Sequence, residues 1–195
     1  MKKGQLTSTK WRRFTEVLTL FFITCAFFAG LFVPALAYSE NAKPQTEAIS
    51  ALLFDAKRGQ VILSKSADEA SHSALSNRIM ATLIVLEKAD TEAMVTASKD
   101  AANTEGATLK LAVGEKYAVK NLLNAFLLTG SPDAAKALAE YVGGSEDGFV
   151  AMMNEYAVKL GMAGTHFVNS TGFYNSDQYT TIEDIALLLK YALSN

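Results

Sequence analysis

The fold is decided by the stretch Ser76-Asn77-Arg78-Ile79-Met80-Ala81-Thr82-Leu83-Ile84-Val85-Leu86. From Ile79 to Leu86 every residue except Thr82 is apolar, so no polar face recurs at helical spacing. A helix that is apolar all round is buried on every side. The sequence therefore predicts a central helix, beginning near Ser76, around which the other elements pack.

Two short apolar runs before this helix predict a β-hairpin. The runs, residues 49–55 and 60–64, are separated by Ala56-Lys57-Arg58-Gly59, where glycine can adopt the positive φ of a tight turn. Apolar side chains fall on both faces of the first strand, which is typical of a strand covered on both sides. Because a lone hairpin is marginal in water, it must pack on helices or pair with further strands.

The rest of the chain predicts mainly helices. Helical patterns cover residues 121–129, 132–142 with Ser131 as N-cap, 146–160 with Ser145 as N-cap, and a last helix opened by the capping box Thr180-Thr181-Ile182-Glu183. Residues 94–113 predict loops with short elements, and residues 165–168 predict a short strand. The fold class predicted is α+β, with an N-terminal hairpin, a buried central helix and a helical subdomain.

The first 37 residues have the pattern of an export signal. A basic start is followed by the apolar residues 18–33 and by the small-residue exit Ala35-Leu36-Ala37. We predict residues 1–37 to be a signal peptide or, if uncleaved, a membrane anchor through residues 17–37. Residues 38–48 then form a linker, and the remainder is expected outside the cytoplasm, in the cell envelope or at the membrane.

Composition excludes several classes of function. Five of the 18 basic residues and one of the 20 acidic residues lie in the first 37 positions, which leaves a net charge of −6 on the remainder. Without a basic cluster, nucleic-acid binding is set aside. The single cysteine, Cys25, lies in the predicted signal, and two histidines, His72 and His166, are too few for zinc without carboxylates. We therefore predict no metal and no cofactor.

A family resemblance is carried by residues of the second half. These are the run Phe149-Val150-Ala151-Met152-Met153-Asn154, then Leu160-Gly161-Met162, Thr165, Phe167, Asn169 and Gly172. They resemble the D-alanyl-D-alanine carboxypeptidases, the low-molecular-weight penicillin-binding proteins. The hairpin, Arg78-Ile79-Met80 and Asp133-Ala134-Ala135 follow in the family's order, so the resemblance covers residues 49–195. It implies the penicillin-binding, β-lactamase-like fold.

The resemblance implies a serine enzyme that trims the terminal D-alanine from peptidoglycan stem peptides. Such enzymes use Ser-x-x-Lys as nucleophile and base, Ser-x-Asn as proton relay and Lys-Thr-Gly on a strand beside the cleft. With Arg78-Ile79-Met80 as register, the nucleophile position holds Leu75 and the lysine position holds Arg78. Leucine has no nucleophile, and a guanidinium with a pKa above about 12 does not act as a base.

The other two motifs are also altered. With Asp133-Ala134-Ala135 as register, the Ser-x-Asn positions hold Gly130, Ser131 and Pro132. No Lys-Thr-Gly occurs in the sequence, and the third motif is expected beyond Asn195. Residues 49–195 are thus expected to form a partial, degenerate domain with an incomplete sheet whose edge is exposed.

Three functional readings follow. In the first, the chain is a non-catalytic, exported relative for which peptidoglycan stem peptides are the candidate ligand. In the second, it is an active carboxypeptidase with a displaced nucleophile at Ser73, Ser76 or Ser131 and an unidentified base. In the third, it is a fragment of a gene product without a task. The loss of two independent motifs favours the first reading over the second.

Overall fold

The computed structural model describes residues 46–194, which form a helix-rich α+β structure. The predicted signal and most of the predicted linker lie outside the described residues. The elements in chain order are β1 (Ala51–Asp55), β2 (Gln60–Lys65), α1 (Ala74–Lys88), β3 (Met94–Thr96), α2 (Lys99–Ala102), β4 (Lys116–Ala118), α3 (Val119–Thr129), α4 (Pro132–Gly143), α5 (Glu146–Leu160) and α6 (Ile182–Ser194). No helix between residues 46 and 194 is long and apolar enough to cross a bilayer.

Helix α1 is the central element, as its apolar run predicted. Met80 and Ile84 are fully buried, and α1 packs against α3, α4, α5 and α6. The helix begins at Ala74, two residues before the predicted start, and Leu86 near its end is exposed. Its burial fixes the position of its first turn, which carries Leu75 and Arg78.

The predicted hairpin is present. Strands β1 and β2 pair antiparallel with a bulge after Leu53, and Gly59 in the turn has a φ of +69°. Strand β1 contacts α6, yet Leu53 and Val61 each remain 52% exposed and Ile62 remains 64% exposed. Within residues 46–194 the sheet has only these two strands. The apolar faces of the hairpin are therefore covered only in part.

Three local predictions need correction. Residues 94–113 contain short elements among loops as predicted, but the antiparallel pairing of β3 with β4 was not predicted, because three residues a strand give no readable alternation. Residues 165–168 contain only an isolated bridge, from His166 to Tyr179. The last helix is capped by Thr181, whose Oγ1 accepts from the Asp184 amide at 3.1 Å, since the Thr180 backbone is paired with Ser71.

Candidate active site

The site predicted from the motifs begins at the first turn of α1. Leu75, at the position that the resemblance assigns to the nucleophile, is 52% exposed. The loop carrying Gly172 lies against this turn so closely that a Cβ on the glycine would come within 3.1 Å of the Ala74 Cα. Tyr174, two residues after Gly172, packs edge to face on His72, with 4.7 Å between the two ring centroids. The nucleophile position is thus an apolar surface point flanked by aromatic side chains.

The two serines near this turn have different surroundings. Ser76 is buried, and its hydroxyl donates to the Ser73 carbonyl at 2.7 Å. Ser73 occupies the N-cap position of α1 and is partly buried, but its side chain makes no capping hydrogen bond. Helix α1 therefore begins without a side-chain cap from either serine.

Arg78 points from α1 towards the end of α3. Its Nη1 donates to the Leu127 carbonyl at 3.3 Å, and its Nε is buried without a hydrogen-bond partner in the described part of the chain. Gly130 follows directly at the C-cap of α3 with a φ of +71°. A Cβ on this glycine would collide with the Arg78 guanidinium, whose Nη2 and Cζ are its nearest neighbours.

The start of α4 supplies the remaining predicted residues. Ser131 and Pro132 are buried, and the Ser131 and Thr129 hydroxyls share a hydrogen bond of 2.6 Å. Ser131 is at the N-cap position as predicted, but its side chain makes no capping bond because it is paired with Thr129. The Ser131 hydroxyl, one residue after the relay position, is therefore enclosed in the protein, whereas Thr129, one residue before it, is exposed.

Asp133 plays a larger part than its sequence position indicated. It is fully buried, and its carboxylate accepts from the amides of Leu109 at 3.1 Å, Leu111 at 3.3 Å and Ala134 at 2.9 Å. The sequence predicted only an acidic residue in the first turn of a helix. Its contacts with a loop more than 20 residues upstream leave no local signal.

Asn77 was also not predicted to be part of the site. This fully buried amide lies next to Arg78 and donates from Nδ2 to the Asn169 carbonyl at 2.7 Å and to Gln178 Oε1 at 2.9 Å. The bonds tie the first turn of α1 to the loop that carries Gly172 and Tyr174. A polar residue at the head of an apolar helix was the available signal.

The geometry brings Leu75, Arg78 and Gly130 to one place but offers no paired nucleophile and base there. A serine nucleophile is activated by a neighbouring base that accepts its proton, and an arginine side chain is not suited to that role. No group of three or more His, Cys, Asp or Glu side chains in residues 46–194 could hold a metal ion. At this turn the chain presents an exposed Leu75, and the Arg78 side chain is bonded to the Leu127 carbonyl.

Comparison with solved structures identifies the class of protein to which the fold belongs. The structure aligns with that of the D-alanyl-D-alanine carboxypeptidase DacD from Francisella tularensis with a TM-score of 0.75 at 30% identity, covering 79% of this chain and 38% of that one. The structure of a D-alanyl-D-alanine carboxypeptidase from Mycobacterium tuberculosis aligns with a TM-score of 0.73 at 27% identity, covering 78% of this chain and 58% of that one. The fold is the α+β architecture of the penicillin-binding proteins.

Sequence comparison gives the family. The sequence model of the D-alanyl-D-alanine carboxypeptidase family matches residues 37–195 of this chain. The carboxypeptidases DacF of Bacillus subtilis and DacC of Escherichia coli are 32% and 33% identical over 83% and 84% of this chain, respectively. The chain belongs to the D-alanyl-D-alanine carboxypeptidase family, and it spans 44% of the length of each of these two relatives.

Proposed function

We propose that this chain is an exported, catalytically inactive member of the carboxypeptidase family that binds peptidoglycan stem peptides without cleaving them. The observation that carries the proposal is the joint state of Leu75, Arg78 and Gly130. A nucleophile, a base and a relay are replaced by a leucine, a permanent cation and a residue without a side chain. The names of the relatives supply the class of ligand, and the signal-like start of the chain supports export.

Burial supports the loss of catalysis over a displaced nucleophile. Of the three serines that could replace Leu75, Ser76 and Ser131 are buried with their hydroxyls already bonded. Ser73 is the candidate that retains some exposure, and this observation keeps an active enzyme as the second reading. The neighbouring His72 faces the Tyr174 ring, which is a packing contact and not the geometry of a base beside a serine.

The surface around Leu75 supports binding. His72, Leu75, Phe173 and Tyr174 are all exposed, and Tyr174 exposes 78% of its surface. Aromatic side chains with a polar end are enriched where proteins bind partners, because they bury a large area at low entropic cost. We call these four residues the mouth patch and assign the stem-peptide contact to it.

The catalytic part of the proposal is tested with a fluorescent penicillin. We expect no covalent labelling of the full-length chain, and none after Leu75→Ser alone, because the restored hydroxyl would still face an arginine instead of a base. An active D-alanyl-D-alanine carboxypeptidase labelled in parallel is the positive control. Labelling of the unmodified chain that disappears in Ser73→Ala would establish the displaced-nucleophile reading.

The binding part is tested by co-sedimentation with purified sacculi. The full-length chain is expected to sediment with them, and Tyr174→Ala is expected to weaken binding about fivefold or more, as for a contact worth at least 1 kcal/mol. Tyr141→Ala is the matched control, since Tyr141 is also exposed but lies about 13 Å along α4 from its start. If the unmodified chain does not sediment with the sacculi, the binding proposal is excluded. If Tyr174→Ala and Tyr141→Ala sediment equally, the mouth patch is excluded as the binding surface.

A further inference from the structure

We propose that an arginine at position 78 and a side chain at position 130 exclude each other. Arg78 caps the end of α3 and occupies the space that a side chain at position 130 would need. Arg78 then fills the space between the first turn of α1 and the end of α3. The proposal concerns the internal packing of the site and stands whether or not the mouth patch binds peptidoglycan.

The capping role rests on the end of α3. The last four carbonyls of a helix have no partner within it. In α3 the Phe126 carbonyl is bonded by the Gly130 amide at 2.9 Å, and the Leu127 carbonyl receives Arg78 Nη1 at 3.3 Å. The last turn of α3 contains no basic residue of its own. A cation from another helix therefore meets the negative end of the helix dipole, which is a stabilising arrangement.

The steric role rests on the glycine. An added Cβ at position 130 would collide with Arg78 Nη2 and would lie 3.1 Å from Cζ and 3.7 Å from Nε. The guanidinium donates to the Leu127 carbonyl, so moving it away from position 130 would strain or break that bond. An arginine at 78 and a side chain at 130 thus compete for one volume.

Gly130 also has a φ of +71°, which disfavours any other residue whatever its surroundings. This conformational cost is the same with or without the arginine, so a double-mutant cycle removes it. The variants of the full-length chain are Gly130→Ala, Arg78→Ala and the double substitution, and the measurement is the equilibrium constant for unfolding in urea.

We expect Gly130→Ala to raise that constant at least about tenfold more in the presence of Arg78 than in the Arg78→Ala background, a coupling within the range found for residues in contact. Gly144→Ala is the matched control, because Gly144 is a helix C-cap with a φ of +73° and no neighbour near its Cβ position. Its effect should not depend on Arg78.

If Gly130→Ala does not fold, recovery of folding by Arg78→Ala is the expected result. Equal effects of Gly130→Ala in the two backgrounds, or a double variant that fails to fold, would overturn the pairing.

Discussion

Replacing Asp133 by alanine is expected to lower the free energy of unfolding by about 2–5 kcal/mol, because the buried amides of Leu111 and Ala134 and the partly buried amide of Leu109 lose their acceptor. The carboxylate is fully buried and bonds three backbone amides, so no water can take its place without entering the core. Asp133→Asn keeps one acceptor oxygen and should give an intermediate loss. Urea unfolding of the full-length chain measures both.

Asp147→Ala is the matched control for this prediction. Asp147 also lies in the first turn of a helix, α5, but it is exposed. It tests the helix-dipole contribution alone, which is about 0.3–1 kcal/mol at such a position. Equal losses for the two alanine variants would show that the bonds to residues 109 and 111 contribute nothing measurable.

Gly143→Ala is expected to destabilise the chain by about 1–3 kcal/mol or more, the range for overpacked interiors. An alanine Cβ would meet the backbone nitrogen of Phe149 and would lie 2.7 Å from its Cα, and backbone atoms cannot rotate away. Phe149 is fully buried, so movement of α5 would disturb the core. The measurement is the urea midpoint of unfolding.

The sign of this effect is the test. Gly143 is the last residue of α4 and has no positive φ, and glycine to alanine in the middle of a helix ordinarily gains about 0.5–1 kcal/mol. A stabilised Gly143→Ala variant would therefore contradict the close approach of α4 and α5. Gly144→Ala, one position later, has open space around its Cβ position and should lose only the cost of a positive φ, about 1–2 kcal/mol.

Much of the fold could be predicted because its signals are local. The apolar run 79–86 predicted a buried helix, Gly59 predicted a hairpin turn, and Ser145 predicted the cap of α5, where its Oγ accepts from the Gly148 amide at 3.0 Å. The small sheet of β3 and β4 was missed, since two strands of three residues are stabilised by their neighbours and not by their own pattern.

The candidate site divides in the same way. Motif spacing assigned Leu75, Arg78 and Gly130 to their positions, and the structure brings the last two into contact. Motif spacing could not predict that Arg78 bonds to the Leu127 carbonyl, because the two residues are 49 positions apart in the sequence. Nor could it predict that Ser76 and Ser131 are buried, since burial depends on how α1, α3 and α4 pack together.

The bond between Arg78 and the end of α3 also bears on the history of the chain. On the proposed pairing, a serine at position 130 would meet the Arg78 guanidinium, so it would require a change at position 78 as well. A serine at position 130 alone is therefore expected to give a less stable protein. If the proposed pairing is correct, selection for folding alone would preserve Arg78 and Gly130 as a pair, whatever the site does.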